Sequence, residues 1–467
     1  ANYLVSEGRF TTNGATVGHL GKGSLEAMVW LYWRTKNRKY LDIAERMASL
    51  NRQWGGVAWM IYGDLPPDRQ QYEGWHIHAN LTTVRGFPWL YAATGDRSYL
   101  DDAIAACDRI AERAMWGTGG VLEQIPWAGT QWPGASPDPH DEICQTSDEL
   151  QLSYLLADFT KQGRFFDRAE HLYYNHIRFS QYHYGDFSTF NRLPGMQRGG
   201  DGWFCCGWWG GKALYETARH LYASSPNAVY INGYMPSSVS LRVGSGTVKV
   251  DTEANIPTSG DVRLTVNPIG ISSFTLYVRV PGWARLEGIR INGSSVSVTP
   301  SNGYAAIARA WKPWDRVEVG FDLPLRVVVD SAWDTLPPAY VSVDGTTTSG
   351  RCVSVFRGPA IVARFRLAHG CDPDWVYTGD HPDLMDSLNT SADVIDAGAW
   401  RFDSSMAPGL TTVTTTPQGV LLRWSYAPAS GWALNRTALV REEIPVRIDY
   451  TSELVAPSAA AAAAVAS

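Results

Sequence analysis

Two short stretches, far apart along the chain, carry the side chains best suited to chemistry. Glu142 and Cys144 stand two residues apart in the first stretch, and Cys205 and Cys206 are adjacent in the second. Thiolates and carboxylates are both zinc ligands, and four such groups complete a tetrahedral site. An adjacent cysteine pair on a glycine-containing loop would place both sulfur atoms on one ion. The spacing therefore suggests a zinc site.

Two simpler interpretations fit the same cysteines. Free cysteine often behaves as a small, buried apolar residue. The adjacent Cys205 and Cys206 could instead form a strained vicinal disulfide. The pattern also differs from the doubled Cys-X-X-Cys motif, whose spacing identifies a zinc site more specifically. The residues alone therefore leave a metal site, a buried core and a disulfide open.

The composition is that of a folded protein with more than one domain. The chain has 467 residues, of which 45% are hydrophobic and 18% are charged, and its formal net charge is -6. This length exceeds what one hydrophobic core usually serves. The acidic balance, without a run of Lys or Arg, argues against a nucleic-acid or membrane-surface partner. No apolar run is long enough to span a bilayer.

Residues 1 to about 226 have the apolar periodicity of paired helices. The turns near Thr35 and Thr94 resemble each other closely, so a helical hairpin repeats along the chain. The repeat predicts an α/α toroid or an open array of hairpins, and the toroid fits better because its ring leaves a central pocket. Trp-, Gly- and Pro-rich loops such as 117–141 suit the rim of that pocket. The predicted hairpins pair residues 25–32 with 40–51, 81–91 with 99–115, and 148–158 with 165–179.

From about residue 227 the pattern changes to short, alternating, β-branched segments separated by turns. This pattern is typical of an antiparallel sandwich, and Asn292-Gly293 is a hairpin signal. One large β-region or two β-domains would fit the segments that follow. We predict a helical domain at 1–226, a β-sandwich domain at 227–329, a second β-sandwich domain at 330–455 and an Ala-rich tail at 456–467.

Further candidate residues lie in the helical region, which holds eight of the ten histidines. His19, His76 and His78 stand near predicted junctions between loops and helices, which line the pocket of a toroid. A lone histidine is more often structural, so both roles stay open. Glu123 follows the glycine-rich stretch 117–120 and could protonate a departing sugar oxygen. Its alternative is a solvated loop charge.

Taken in order, these motifs resemble glycoside hydrolase family 127, whose type activity is β-L-arabinofuranosidase. The resemblance covers most of the chain. It implies a multidomain α+β protein with an (α/α)6-barrel catalytic domain followed by antiparallel β-sandwich domains. The motifs that carry it lie at 117–120, 142–144, 172–175, 205–206, 278–284 and 357–359.

The resemblance also implies roles in catalysis. Glu142, Cys144, Cys205 and Cys206 would bind one Zn²⁺, Cys205 would be the nucleophile, and Glu123 would be the general acid/base. A free thiol has a pKa of roughly 8.5, and zinc binding would hold it as the thiolate. Cys205 would attack the anomeric carbon while Glu123 protonates the leaving oxygen. Hydrolysis of the thioglycosyl intermediate would then give net retention.

The implied substrate contacts are His19 and either His76 or His78. Three departures from the family pattern bear on the substrate. Gly207-Trp208-Trp209 follows the cysteine pair where the family usually has two prolines and an asparagine. The loop between Glu123 and Glu142 looks longer, and the region before His19 looks shorter. Another furanoside, an unusual plant or microbial sugar, or loss of activity are therefore further possibilities.

Two other kinds of protein remain as alternatives. A sugar epimerase or polysaccharide lyase on an α/α barrel would need no cysteine cluster. A non-catalytic carbohydrate-binding protein would bind sugar in a cleft lined by aromatic residues, without turnover. Asn-X-Ser/Thr triplets favour a secreted protein, whereas the thiol-rich site favours a reducing compartment. Cys352 and Cys371 could form a disulfide. The sequence does not indicate an oligomeric state.

Overall fold

The chain folds into a helical part followed by a part built from β-strands. The computed structural model describes residues 23–66, 76–117, 119–125, 141–181, 187–189, 204–257, 259–330, 351–367, 412–416, 419–423 and 448–450. His19, Cys371, the predicted tail and most of the predicted second β-domain lie outside these residues. Among the residues that are described, no helix has the length and apolar character needed to cross a membrane.

The helical part contains ten α-helices within the described residues. Five residues of π-helix, Tyr173–Ile177, continue directly from the eighth helix into the short ninth helix. The helices are α1 (Ser24–Thr35), α2 (Arg38–Asn51), α3 (Gly55–Tyr62), α4 (Ile77–Val84), α5 (Gly86–Thr94), α6 (Arg97–Arg113), α7 (Ile143–Thr160), α8 (Gly163–Leu172), α9 (Arg178–Ser180) and α10 (Phe204–His220).

The hairpins predicted from periodicity are present as α1–α2, α5–α6 and α7–α8, except that the single helix predicted at 81–91 is divided between α4 and α5. Asn37 and Asp96 cap α2 and α6, because their side chains accept hydrogen bonds from backbone N–H groups of the first turn. Lys36, Gly95 and Lys161 end the preceding helices in left-handed conformations. The repeated turn sequence therefore combines a helix stop with the N-cap of the next helix.

Helix α7 has more buried residues than any other described helix. Fourteen of its 18 residues are buried, including the polar Gln145, Asp148 and Glu149. It packs against α4, α6, α8 and α10. Buried polar side chains are stable only with partners, so the polar start of α7 indicates a site rather than a simple core.

Sixteen strands of the described residues follow α10 along the chain. Their ranges are β1 (Tyr222–Ser225), β2 (Ala228–Ile231), β3 (Ser237–Val243), β4 (Gly246–Ala254), β5 (Asp261–Ile269), β6 (Ser273–Arg279), β7 (Arg285–Ile291), β8 (Ser294–Val296), β9 (Tyr304–Ala310), β10 (Asp315–Asp322), β11 (Leu325–Asp330), β12 (Arg351–Arg357), β13 (Ala360–Leu367), β14 (Thr412–Thr416), β15 (Gly419–Arg423) and β16 (Ile448–Tyr450).

The β part contains two sheets that share one hydrophobic core. The first sheet has the order β1-β2-β6-β9 and the second β16-β3-β4-β5-β10-β7-β8. Side chains from both sheets, such as Leu276 and Val250, belong to the same buried cluster. Asn292 and Gly293 both have positive φ in the β7–β8 turn, as the hairpin signal predicted. Pairing is antiparallel throughout, except that β2 pairs with β6 and β16 pairs with β3 in parallel.

The described residues form two smaller sheets as well. Strands β11, β12 and β13 form a third sheet, and β14 and β15 form a fourth.

A buried ion-pair network joins the helical part to the strands. The Arg279 guanidinium, which is fully buried, pairs with Asp167 and Glu170 on α8. The Gly282 N–H donates to Asp167, and the Trp283 indole N–H donates to Glu170 at 2.8 Å. The motif at 278–284 is therefore the strand end and turn that hold α8 against the first sheet.

Candidate metal centre

The four predicted ligands meet where two helices begin. Glu142 is the N-cap residue of α7 and Cys144 lies in its first turn, while Cys205 and Cys206 lie in the first turn of α10. Two sequence-based expectations are wrong here. The cysteine pair lies on a helix rather than on a loop, and α7 begins at Ile143, ahead of the expected start at 148.

The spacing of the ligand atoms fits a tetrahedral zinc ion. The Sγ atom of Cys206 lies 3.8 Å from that of Cys144, 3.9 Å from that of Cys205 and 3.5 Å from Glu142 Oε1. All four ligand atoms lie within 4.8 Å of one another. With Zn–S near 2.3 Å and Zn–O near 2.0 Å, tetrahedral angles place two sulfurs about 3.8 Å apart and sulfur and oxygen about 3.5 Å apart.

The same distances exclude a vicinal disulfide in this structure. A disulfide joins its sulfur atoms at about 2.0 Å, whereas Cys205 and Cys206 are free thiols. Cys144 and Cys206 are buried, and Cys205 is half-buried. The simple core interpretation accounts for two buried thiols. It does not account for a buried carboxylate among them, because an ionised carboxylate requires compensation when it leaves water.

Electrostatics within the cluster also favour a cation. Burial and the charge of Cys206 raise the pKa of the Cys205 thiol, and the hydrogen bond to Cys206 and burial raise that of Cys144. The hydrogen bond from Cys144 lowers the pKa of Cys206. One thiolate therefore forms at the expense of its neighbours. A bound cation would allow all three to be thiolates, since metal coordination deprotonates thiols.

The glycine-rich stretch at 117–120 positions Glu142. Gly119 has a φ of 79°, and a β-carbon there would lie 3.1 Å from the carbonyl oxygen of His171. Just beyond this stretch, Val121 lies beside Glu142, because the Glu142 N–H donates to the Val121 carbonyl at 3.2 Å. Thr146 completes the support, because it donates to the Glu142 carbonyl and accepts from the Val121 N–H.

Glu123 and His76 lie beside the cluster. Ligand atoms of His76, Glu123 and Glu142 all fall within 4.8 Å of one another, with His76 Nε2 3.7 Å from Glu142 Oε2. The Ile77 N–H donates to the Glu123 carbonyl at 2.9 Å, which ties the start of α4 to the segment that carries Glu123. Burial raises the pKa of Glu142, but hydrogen bonds from His76 and Cys144 outweigh burial and hold that pKa below its ordinary value.

His78 faces a different partner from His76. Its ring bonds to the fully buried Asp148, which also receives the Arg85 guanidinium at 2.8 Å. Burial lowers the pKa of His78, but the charge of Asp148 and the hydrogen bond outweigh burial and raise it. The His78 ring packs edge-on against Trp209, 5.1 Å between centroids, one turn beyond Cys205. His78 therefore borders the cluster without entering it.

Sequence reasoning missed several residues of this site. Gln145 bridges two site residues: its amide donates to Glu142 Oε2 at 2.9 Å and accepts from the Glu123 N–H at 3.1 Å. Asp148 and Arg85 also escaped notice. A run of polar residues, 145–149, inside an apolar helix was the available signal, because such residues must find buried partners.

Sequence profiles of two domains from one family match the chain. The profile described as β-L-arabinofuranosidase, GH127 catalytic domain, matches residues 11–199. The profile described as β-L-arabinofuranosidase, GH127 middle domain, matches residues 228–323. The first match ends ahead of the cysteine pair, and together the two matches cover more than half of the chain. No curated protein sequence matches it.

Three solved structures resemble this fold, each over 72% of the chain. A GH127 β-arabinofuranosidase is 24% identical with a TM-score of 0.57, and the match covers 55% of it. A GH127 β-L-arabinofuranosidase from Geobacillus stearothermophilus is 22% identical with a TM-score of 0.53, and 57% of it is covered. A third structure, titled glycoside hydrolase, is 20% identical with a TM-score of 0.56. The chain spans between 55% and 59% of the length of these three proteins.

Proposed function

Because this chain belongs to glycoside hydrolase family 127, we propose that it is a retaining glycoside hydrolase that cleaves terminal furanosides such as β-L-arabinofuranosides. One observation carries the proposal: three thiols and the carboxylate of Glu142 converge at zinc-ligand spacing, with Glu123 beside them. That combination supplies a nucleophile and a proton donor in one place. It matches what a two-step displacement at an anomeric carbon requires.

The ligand set of Glu142, Cys144, Cys205 and Cys206 would hold Zn²⁺, and the metal would supply the charge that keeps thiols deprotonated near neutral pH. Cys205 is the best placed of the three thiols to reach a substrate, since it is half-buried while the other two are buried. Its thiolate attacks the anomeric carbon, forming a carbon–sulfur bond as the bond to the leaving oxygen breaks. The product of this step is a thioglycosyl group on Cys205.

Glu123 is the proposed general acid/base. Its carboxyl donates a proton to the leaving oxygen in the first step. In the second step the carboxylate takes a proton from water, whose oxygen displaces Cys205 from the anomeric carbon. Two inversions give net retention. The bond from the Ile77 N–H to the Glu123 carbonyl, at 2.9 Å, holds this residue at the edge of the cluster.

Substrate would lie over Cys205, between the histidines of α4 and the aromatic residues of α10. His76 and His78 would contact its hydroxyl groups, and the resemblance adds His19 to this set. Trp208 is 71% exposed one turn beyond Cys205, so its indole offers an apolar face on which a sugar ring can stack. The family pattern has no aromatic residue at this position. We therefore expect the substrate contacts at this position to differ from those of relatives.

The proposal includes an architecture. An (α/α)6 barrel at 1–226 would carry the catalytic residues, and antiparallel β-sandwich domains at 227–329 and 330–455 would follow. The repeated hairpins of the helical part support the barrel, and the two sheets with a shared core support the first sandwich. The starts of α4, α7 and α10 converge on the cluster, as inner helices of a barrel do around a pocket.

Hydrolysis of 4-nitrophenyl β-L-arabinofuranoside tests the proposed function. We expect release of 4-nitrophenol by the unmodified protein and a loss of at least about 10³-fold in kcat for Cys205→Ser, because a serine hydroxyl is a far weaker nucleophile. Cys107→Ser is the matched control, since Cys107 is a buried free thiol outside the cluster. Sugar binding without turnover, equal in all three proteins, would instead indicate a non-catalytic carbohydrate-binding protein.

A further inference from the structure

A buried pair of residues stands directly behind the ligand Glu142. Asp141 precedes that ligand in sequence and is 3% exposed, and His176 is fully buried. His176 Nδ1 lies 3.3 Å from Asp141 Oδ2, a contact that becomes an ion pair when the imidazole is protonated. A buried carboxylate needs a partner of this kind. The pair therefore ties the backbone on the N-terminal side of Glu142 to the segment that carries His176.

The Asp141 carboxylate has little freedom to move. Asp141 pairs with Leu122 in an isolated antiparallel bridge. A β-carbon built on Gly120 would lie only 1.8 Å from Asp141 Oδ2, so the carboxylate occupies the space that a side chain would take at that position. The carboxylate is thus held between the glycine on one side and His176 on the other. Glu142 follows it immediately.

His176 owes its position to the π-helical segment Tyr173–Ile177. A π-helical turn accommodates one residue more than an α-helical turn, which redirects the side chains that follow, and such segments often occur at functional sites. Asn175 anchors this segment: its side-chain amide donates to the His171 carbonyl and to the Pro359 carbonyl, both at 2.9 Å. The second bond reaches outside the helical part.

Pro359 lies in the turn between β12 and β13. Two further contacts involve this turn and the adjoining end of β12. The Phe356 ring lies 5.2 Å from the His171 ring, and Arg326 donates to the Gly358 carbonyl at 2.8 Å. A continuous set of contacts therefore runs from this turn through Asn175 and the π-helical segment to the residue beside the metal ligand. Ligand orientation by residues behind the coordinating side chains is a general feature of metal sites.

We propose that Asp141 and His176 are positioning residues for the metal ligand Glu142, and that the β12–β13 turn is a working part of the metal site. The inference rests on the metal site of the proposed function. It adds that the β part contributes to metal affinity through backbone and buried contacts, without supplying a ligand.

Zinc affinity measured by competition with a chromogenic chelator tests this proposal without reference to activity. We expect His176→Gln to weaken zinc binding by about 10- to 100-fold, the usual effect of removing an orienting partner. Asn175→Ala, which removes the bond to Pro359, should weaken it in the same direction. His220→Gln is the matched control, because His220 is also buried beside an aspartate, Asp158. Asp158 lies about 24 Å from Glu142 along α7, at 1.5 Å per residue.

The outcomes separate the two proposals. Weaker zinc binding in His176→Gln and Asn175→Ala, with affinity in His220→Gln close to the unmodified protein, supports the positioning role. Equal zinc affinity in all of them overturns the positioning role and leaves the metal site intact. An unmodified protein that binds no zinc overturns both. Circular dichroism spectra identify any variant whose affinity changes only because it fails to fold, and Asp141→Asn then serves as a second test of the pair.

Discussion

At the residue scale, the pKa of one buried carboxyl group on α7 shows how burial constrains ionisation. Glu149 is fully buried, five residues beyond Cys144, and accepts from the Cys107 thiol at 3.1 Å. Burial raises the pKa of Glu149 to about 8, although the Arg168 guanidinium opposes the shift. The side chain is therefore neutral near pH 7. Charge in this helix is concentrated at the metal cluster and at the Asp148 pair instead.

Glu149→Gln should reveal this protonation in the pH dependence of stability. The raised pKa means that the folded protein holds a proton which the unfolded chain releases above about pH 4.5. The contribution of Glu149 to stability therefore falls as pH rises from about 4.5 to about 8, and the variant lacks this contribution. We expect the unfolding free energy of the variant, relative to the unmodified protein, to rise by a few kcal/mol across that range.

Urea denaturation at pH 5 and pH 8.5 provides the measurement. Glu45→Gln is a suitable control, because that carboxylate lies near the surface in an ion pair with Arg38. A difference between Glu149→Gln and the unmodified protein that is the same at both pH values would show that Glu149 is ionised in the folded state.

The convergence of these four residues could be predicted from sequence, but their immediate surroundings could not. Four residues of metal-ligating type in two short stretches pointed to the cluster that the structure forms. His76 and His78 looked equivalent as sequence neighbours, yet one faces Glu142 and the other faces Asp148. His76 precedes the first residue of α4 and His78 lies in its first turn, so the two rings point in different directions. The periodicity of apolar residues does not encode that difference. The roles of Glu123 and His19 stay predictions.

At the scale of elements, two helix starts do most to build the site. Hairpin periodicity and N-cap residues made the helices of the hairpins predictable. Helix α10 escaped because Gly207, Gly210 and Gly211 in its first turns resemble a loop, and glycine lowers helix propensity. Packing explains one of them: a β-carbon on Gly210 would lie 2.3 Å from the Phe187 ring. Tertiary contact thus overrides local preference.

Two glycines with opposite surroundings give a paired prediction. Gly120→Ala would bring a β-carbon within 1.8 Å of Asp141 Oδ2, whereas Gly211 in α10 has no atom within 4 Å of that position. We expect Gly120→Ala to destabilise the protein by about 1–3 kcal/mol, as overpacking of a core does. We expect Gly211→Ala to stabilise it by about 0.5–1 kcal/mol through helix propensity.

Thermal and urea unfolding of the two variants decides between these expectations. The Gly211→Ala variant also controls for the general effect of an added methyl group. Equal stability of Gly120→Ala and the unmodified protein would mean that Asp141 can move aside freely, which would weaken the account of how Glu142 is held.

At the scale of the whole molecule, a buried network of side chains joins the helical part to the β part. Arg279, Asp167 and Glu170 form a buried network, and Trp283 adds a hydrogen bond to it. The strands themselves were predictable from alternation. Their docking on α8 was not, because it depends on an arginine in a strand whose partners lie more than a hundred residues away.

Arg279→Ala should therefore be strongly destabilising. Removing the guanidinium leaves two carboxylates without their buried partner, and breaking a buried ion pair on one side costs about 3–5 kcal/mol. Arg38→Ala is the control, because the Arg38 ion pairs are largely exposed and surface pairs of this kind add little to stability. Differential scanning calorimetry provides the comparison. Similar transition temperatures for both variants would show that the two parts do not depend on this network.

Metal content of the purified protein is the most direct test of the central claim that Glu142 and three cysteines form a zinc site. Mass spectrometry of the acid-digested protein, after dialysis against metal-free buffer, should give about one zinc per chain. Cys206→Ser should lose that zinc, and Cys107→Ser should retain it. A protein that holds no zinc under these conditions, with all its cysteines reactive as free thiols, would contradict the account and leave the cluster without the charge its mechanism requires.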